Sequence, residues 1–331
     1  MSHFAVLVVG PDPVAQLAPF HEFECTGRDD EYVIDVDVTE RALKKYAEDT
    51  TTRIKLPDGT LESFFDEKGE WRQEFSQQEE DPTFKSMSRR TYYVPPGHEK
   101  VEVLTSTLKS FEEFCKDYGG WRVDADGRAW DHTNPNAKWD WYQLGGRWTG
   151  FFKLKPGCMG LLGEPSLLAR DHKMDSTTAD SALKGNIDFQ AMRAKDEQQA
   201  RQAWHKVHDP LNGVRWAAWE EVLKEFGTER IDEARKFYHG QVAFELSPHL
   251  GKHIFDRDSF LVTEEEYANR ATAGSGATFA VLMNGQWYER GKMGWWGIVS
   301  DDSGDEWFAK FHELVDSLPD DTMLTIVDCH I

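Results

Sequence analysis

The sequence predicts an α+β fold of duplicated ferredoxin-like (ββαβ-containing) units with antiparallel sheet, a large insertion in the first unit and a helical middle segment. Three observations lead there. Thr278 to Val327 reads as a β-hairpin, a helix and a closing strand. Phe4-Ala5-Val6-Leu7 recurs as Phe279-Ala280-Val281-Leu282, and Trp141-Tyr142-x-x-Gly145 recurs as Trp287-Tyr288-x-x-Gly291. Residues 181–238, between the copies, are rich in Ala, Gln, Glu and Arg, which favour helix.

The elements follow in order. Phe4 to Val9 is a continuous apolar run stopped by Gly10-Pro11, the pattern of a strand buried on both faces. Phe20 to Gly27 alternates apolar and polar residues and reads as a strand with one wet face. Thr39 reads as the N-cap of a helix ending near Asp49, with Ala42, Leu43, Tyr46 and Ala47 on one face. Residues 50–98 are polar, with a turn at Pro57-Asp58-Gly59, and read as insertion. Val101 to Leu104 is a strand, and Ser110 opens a helix to Tyr118 with a capping box. Trp139 to Phe152, with its glycines, suits a bent strand or hairpin, and residues 157–180 a surface loop. The helical stretch breaks at Pro210 to Gly213 and at Gly227. Gln241 to Leu246 and His253 to Val262 read as strands, and Thr263 caps a short helix to Ala271. Asn284-Gly285 is a strong hairpin signal, with Trp287 to Val299 returning as partner to Thr278–Leu282. Ser303 caps a helix with Trp307, Phe308, Phe311, Leu314, Val315 and Leu318 on its apolar face, ended by Pro319. Thr322 to Val327 is the last strand.

The repeat sets the domain organisation. Residues 1–156 form an N-terminal α+β unit with an insertion at about 11–138, residues 157–240 a loop and helical segment, and residues 241–331 a C-terminal α+β unit. Gly150 and Gly297 lie similarly beyond the two WY pairs, and Val38-Thr39-Glu40 is echoed by Val262-Thr263-Glu264. In the second copy the FAVL and WY strands are joined by a tight turn. The first copy should therefore set its WY strand beside residues 4–9.

Composition narrows the function. The chain has 331 residues, 39% hydrophobic and 29% charged, with 13 Trp, which is the profile of a folded protein. Its 38 Lys and Arg stand against 59 Asp and Glu, a formal charge of −21 that repels a phosphate backbone, so no duplex DNA is expected. The four cysteines, Cys25, Cys115, Cys158 and Cys329, show no CxxC and no disulfide framework, which fits a reducing cytoplasm. The first apolar run is too short for a signal peptide or a span, so no membrane association is expected.

Two stretches carry candidate chemistry. Trp139 to Phe152 offers rings for stacking, Gly145-Gly146 for close approach and Arg147 for a phosphate or carboxylate, and the expected ligand residues are Asp140, Tyr142, Arg147 and Trp148. The competing reading is a core strand with Arg147 paired to Asp140. The second copy keeps rings and glycines but has Glu289 and Lys292, which leaves Asp140 and Arg147 as the functional candidates. His21-Glu22-Phe23-Glu24-Cys25 and Asp328-Cys329-His330 hold ligand types for zinc or manganese, giving His21, Glu22, Glu24, Asp328 and His330 as metal candidates. Ordinary surface polarity is the alternative. No P-loop, dinucleotide fingerprint, HExxH or GxSxG occurs.

Ser2 to Gly10, Pro19 to Gly27, Asn134 to Gly150 and Leu318 to Ile331 together resemble a family of uncharacterised tailed-bacteriophage proteins. The resemblance implies a phage accessory protein working in the cytoplasm of the infected bacterial host, where such proteins counter host defence. The expected activity is binding of a nucleotide-type or other small anionic ligand, with sequestration of a host defence signal. The alternatives are a metal-dependent phosphodiesterase, for which a divalent metal would be the cofactor, and an acidic inhibitor of a host defence or nucleic-acid-binding protein.

Overall fold

The computed structural model describes residues 2–65, 72–80, 88–166, 176–253, 256–293 and 299–331. The chain divides into two compact units, residues 1–26 with 136–331, and residues 27–135.

The larger unit is organised on a mixed sheet, whose strands we number in chain order as β1 (His3–Val9), β2 (Trp141–Gly146), β3 (Glu164–Pro165), β4 (Ser181–Leu183), β5 (Ala280–Met283), β6 (Gln286–Glu289) and β7 (Met323–His330). The order is β3-β2-β7-β1-β5-β6, with β4 also on β7. The apolar run at residues 4–9 is central because it is buried on both faces, as its lack of alternation requires.

Two sequence expectations are corrected here. The WY strand β2 does not lie beside β1: β7 stands between them, pairing His330 with both His3 and Trp141. The sheet is also not wholly antiparallel, since β1 and β5, the two FAVL strands, run parallel with Leu7 opposite Val281. Their long connection permits this, where a hairpin would not.

Each face of the sheet buries its own core. Leu7, Val9, Val281, Leu324 and Ile326 pack with Trp307, Phe311 and Val315 of the helix Gly304–Asp316. Phe4, Val6, Val8, Leu282 and Val327 pack with Leu17, Phe20 and Trp139. The hairpin at Asn284-Gly285 forms as read, with Leu282 opposite Trp287; its return strand ends at Glu289, and Gly297 lies outside the described residues.

Several segments read as strands are helical. Phe20 to Gly27 forms a 3-10 turn ending at Phe20 and a short helix Phe23–Thr26, because the backbone of Phe20 and Glu22 bonds to Lys138 and Trp139, not to a ladder of its own. Gln241 to Leu246 becomes the helix Val242–Leu246, and residues 257–261 a 3-10 helix; Phe244 and Phe260 both sink into a helical cluster with Val207, Trp216, Val222 and Tyr238. The helices Phe189–His208, Trp219–Phe226, Ile231–His239 and Glu264–Ala273 surround that cluster, and Thr263 completes its capping box with Glu266. Ser303 does not cap its helix through its side chain. Asp302 accepts from the Gly304 N–H at 2.8 Å instead.

In the smaller unit the polar residues 50–98 hold more regular structure than their composition predicts. Thr50–Lys55 pairs with Leu61–Ser63 and with Glu99–Leu104, and Ser76–Glu80 with Ser88–Tyr92. Ile54, Phe64 and Phe75 give these strands a small core. A second core gathers Val38, Ala42, Phe114, Cys115, Trp121 and Ala129 from the helices Thr39–Glu48 and Phe111–Gly119 and the strand Ala129–Thr133. Thr39 is the first residue of its helix, with Val38 at the cap. The Ser110 capping box is present.

Candidate metal centre

At one end of the sheet, the start of β1, the end of β7 and the approach to β2 converge. Register explains the convergence: His3 and Trp141 both oppose His330, so residues distant in the chain meet on adjacent strands. Asp140 precedes β2 and donates its N–H to the His330 carbonyl at 2.9 Å. The Glu22 N–H donates to the Trp139 carbonyl at 2.7 Å, which draws the Phe23–Thr26 turn to the same place. Glu22 and Cys25 are one helical turn apart, so their side chains share a face.

The result is a cluster in which one ligand atom each from Glu22, Cys25 and Asp140 lies within 4.8 Å of the others. Asp140 is oriented by His330, whose Nδ1 is 2.5 Å from Asp140 Oδ1. A carboxylate only accepts, so this Nδ1 carries the proton of the contact. The His330 Nε2 is buried and has no hydrogen-bond partner among the described residues. His3 forms a parallel arrangement, its Nδ1 2.8 Å from Asp328 Oδ1, and the two imidazoles meet edge to face with centroids 4.9 Å apart.

Electrostatics favour a cation here. Burial raises the Glu22 carboxyl above its usual range, and the nearby Glu24 and Asp140 carboxylates add to this, against the opposing hydrogen bond from Cys25. Burial, then Glu22, pushes up the Cys25 thiol. Like charges and partial desolvation thus disfavour the ionised forms, and a divalent ion reverses both effects.

Comparison with family models, with curated proteins and with solved structures finds no match to this chain.

The predicted site residues separate into three groups. Glu22 and His330, from the metal candidates, meet Asp140, from the ligand candidates; Cys25 joins them, and its place in a polar run had given it no ligand spacing. Asp328 is fully buried and is committed elsewhere: besides His3 it accepts the Arg147 N–H at 2.9 Å through Oδ2. His21 is fully buried, its Nδ1 3.0 Å from Thr26 Oγ1 and its ring against Trp139, and Glu24 is exposed. Tyr142 packs edge-on to Trp139 and Trp148 packs on the core, so both rings serve folding. Arg147 does not pair with Asp140. Its guanidinium is exposed and makes no hydrogen bond or ion pair among the described residues. His3 was missed altogether, since only strand register links it to residue 330.

The Gly145-Gly146 turn is no anion cradle. Its conformation is left-handed at both residues, with φ of 75° and 56°, and carboxylates of the chain already occupy its surroundings. A Cβ on Gly145 would lie 2.4 Å from Asp180 Oδ2, and one on Gly146 2.4 Å from Asp328 Cβ. Asp180, itself buried, accepts from the N–H groups of Gly150 at 2.6 Å and Gly163 at 2.8 Å. The glycines admit two internal carboxylates and leave little room for a phosphate.

Proposed function

We propose that the protein is a metal-dependent phosphodiesterase whose divalent ion is held by Glu22, Cys25 and Asp140. The observation that carries this reading is the approach of their ligand atoms to within 4.8 Å. Zinc bonds of about 2.0–2.3 Å place ligand atoms about 3.3–3.7 Å apart in a tetrahedron, so a small closure of the cluster suffices. Two carboxylates and a thiol suit zinc among divalent ions, and three protein ligands leave a position for water. The His330 contact to Asp140 is the outer-sphere support that ligating carboxylates require. A divalent ion held by Glu22, Cys25 and Asp140 would supply a bound water of lowered pKa as the source of hydroxide for hydrolysis of a phosphodiester to a phosphomonoester and an alcohol. Arg147 is the cation assigned to a non-bridging phosphate oxygen.

A second reading, binding of a small nucleotide-type anion without turnover, draws on the same unpaired Arg147 guanidinium. Under either reading the ligand would be a nucleotide signal of host defence, met in the infected bacterial cell. We also infer a duplicated origin for the ferredoxin-like units, supported by the two FAVL strands lying side by side.

The test is zinc content of the purified full-length protein, together with hydrolysis of bis(p-nitrophenyl) phosphate before and after chelation. Zinc bound in the wild type and reduced in Glu22→Gln and Asp140→Asn, with hydrolysis lost on chelation and regained with zinc, supports the enzyme. Zinc load unchanged in both variants overturns the centre. Cyclic and linear dinucleotides retained intact by the wild type, less by Arg147→Ala, would instead support the binder.

A further inference from the structure

We propose that His249 and His253 form a separate metal site, a two-histidine chelate for a late first-row divalent ion such as zinc or copper. It lies in the helical part of the larger unit and shares no residue with the centre at Glu22.

The decisive quantity is a separation. The two Nε2 atoms are 3.3 Å apart, with ring centroids at 4.8 Å. In the metal-free protein one ring donates to the other in a long hydrogen bond, which an arriving ion would replace. Two nitrogens bound tetrahedrally to one zinc at about 2.0–2.1 Å are about 3.3–3.4 Å apart. The pair therefore stands at the spacing of two nitrogens on one ion.

The backbone that carries the pair is fixed on several sides. His249 lies in the helix Pro248–Lys252 and His253 caps its end, a spacing of four that stacks side chains on one face. Ser247 Oγ accepts from the Leu250 N–H, and Leu250 is fully buried. The buried Arg257 donates to the carbonyls of Leu250 and Gly251, both at 3.3 Å, while its guanidinium lies 4.0 Å over Phe244. The His253 ring rests edge-on against Phe260 at 5.1 Å. A chelate held this way loses little entropy when the ion arrives.

Both imidazoles are free for the purpose. Neither ring makes any further hydrogen bond among the described residues, and both are partly exposed, so an ion and its waters can enter. The ammonium groups of Lys206 and Lys252 act on His249 through space. The same two lysines favour an anion, such as chloride or a carboxylate, beside water in the remaining coordination positions.

The experiment is calorimetric titration of chelator-treated full-length protein with zinc and, separately, copper, repeated on His249→Gln, His253→Gln and Glu22→Gln, with circular dichroism confirming the fold of each. One binding class should persist in Glu22→Gln and weaken by at least about tenfold in either histidine variant, as expected when a chelate becomes a single ligand. Copper paramagnetic resonance of Glu22→Gln should show coupling to two equivalent nitrogens, and to fewer in His249→Gln. Binding that both histidine variants leave unchanged overturns the site, as does a copper spectrum without two-nitrogen coupling. Should a histidine variant fail to fold, the Glu22→Gln spectrum decides alone.

Discussion

Asp328 joins His3 to Arg147: one carboxylate oxygen takes the imidazole Nδ1 at 2.8 Å and the other the backbone N–H at 2.9 Å. This ties the first strand to the glycine turn that follows β2. Asp328→Asn keeps the volume but turns an N–H₂ group toward one of these donors, and should cost about 1–3 kcal/mol in urea unfolding. Gly146→Ala should cost more, because its φ of 56° is unfavourable and its Cβ would strike Asp328. In Asp328→Gly both the Cβ and the carboxyl group that the new methyl would strike are gone, so the two substitutions together should be less harmful than their sum, a double-mutant cycle with measurable coupling.

Asp180 provides a pH test. Burial raises its carboxyl above the ordinary 3.8, against the pull of the Gly163, Gly150 and Phe151 N–H groups. The folded chain therefore binds this proton more tightly than the unfolded chain. The stability linked to the group is fully present below pH 3.8 and is lost as pH rises through the folded value. Asp180→Asn should thus be penalised more at pH 3.5 than at pH 7, a difference to be read from paired denaturation curves. An unchanged penalty across that range would show that the carboxyl is not raised.

The smaller unit can be probed by its capping box. Ser110→Ala should lower its stability by about 1 kcal/mol. The Ser110 backbone N–H, then its hydroxyl, holds Glu113 below the usual 4.5. The contribution of that depressed carboxyl is present above pH 4.5 and lost as pH falls through the folded value. On acidification the wild type should therefore lose the part of its advantage over Ser110→Ala that comes from the hydroxyl bond to the Glu113 carboxylate, as followed by thermal unfolding at pH 7 and pH 3.

Trp139 links packing to the metal centre. Its indole donates to the Leu17 carbonyl at 3.0 Å, and its backbone carbonyl accepts from Glu22. Trp139→Phe removes the indole bond to the Leu17 carbonyl, and should cost about 0.5–1.5 kcal/mol. It should also weaken zinc binding by spreading Glu22 from Asp140. Zinc affinity measured beside the urea midpoint separates the two effects, since zinc affinity unchanged at reduced stability would confine Trp139 to packing.

What the sequence reveals depends on the range of the interaction. The run at residues 4–9, the Ser110 and Thr263 capping boxes, Asn284-Gly285 and the apolar face from Trp307 to Leu318 are local signals, and each marks the element found. Phe20 to Gly27 misleads because its alternation arises from burial of His21 against Trp139, a contact over more than a hundred residues. The strand at 99–104 is found where Val101 to Leu104 marks it, whereas its partner at 50–55 escapes notice because only Ile54 of it is fully buried, which leaves almost no periodicity. The site follows the same rule. Glu22, Asp140 and His330 each stand out as chemistry-bearing residues, but no spacing joins positions 22, 140 and 330. Sheet register alone does so, and it also reassigns Asp328 to a structural task.

The position of β7 between β1 and β2 has a consequence for synthesis on the ribosome. The sheet cannot close until residues 323–330 have left the exit tunnel, so β1 waits while all the residues between it and β7 are made, with an unpaired edge and two apolar faces. The nascent chain is most exposed to proteases and aggregation during that interval, and the C-terminal strand acts as the latch that ends it.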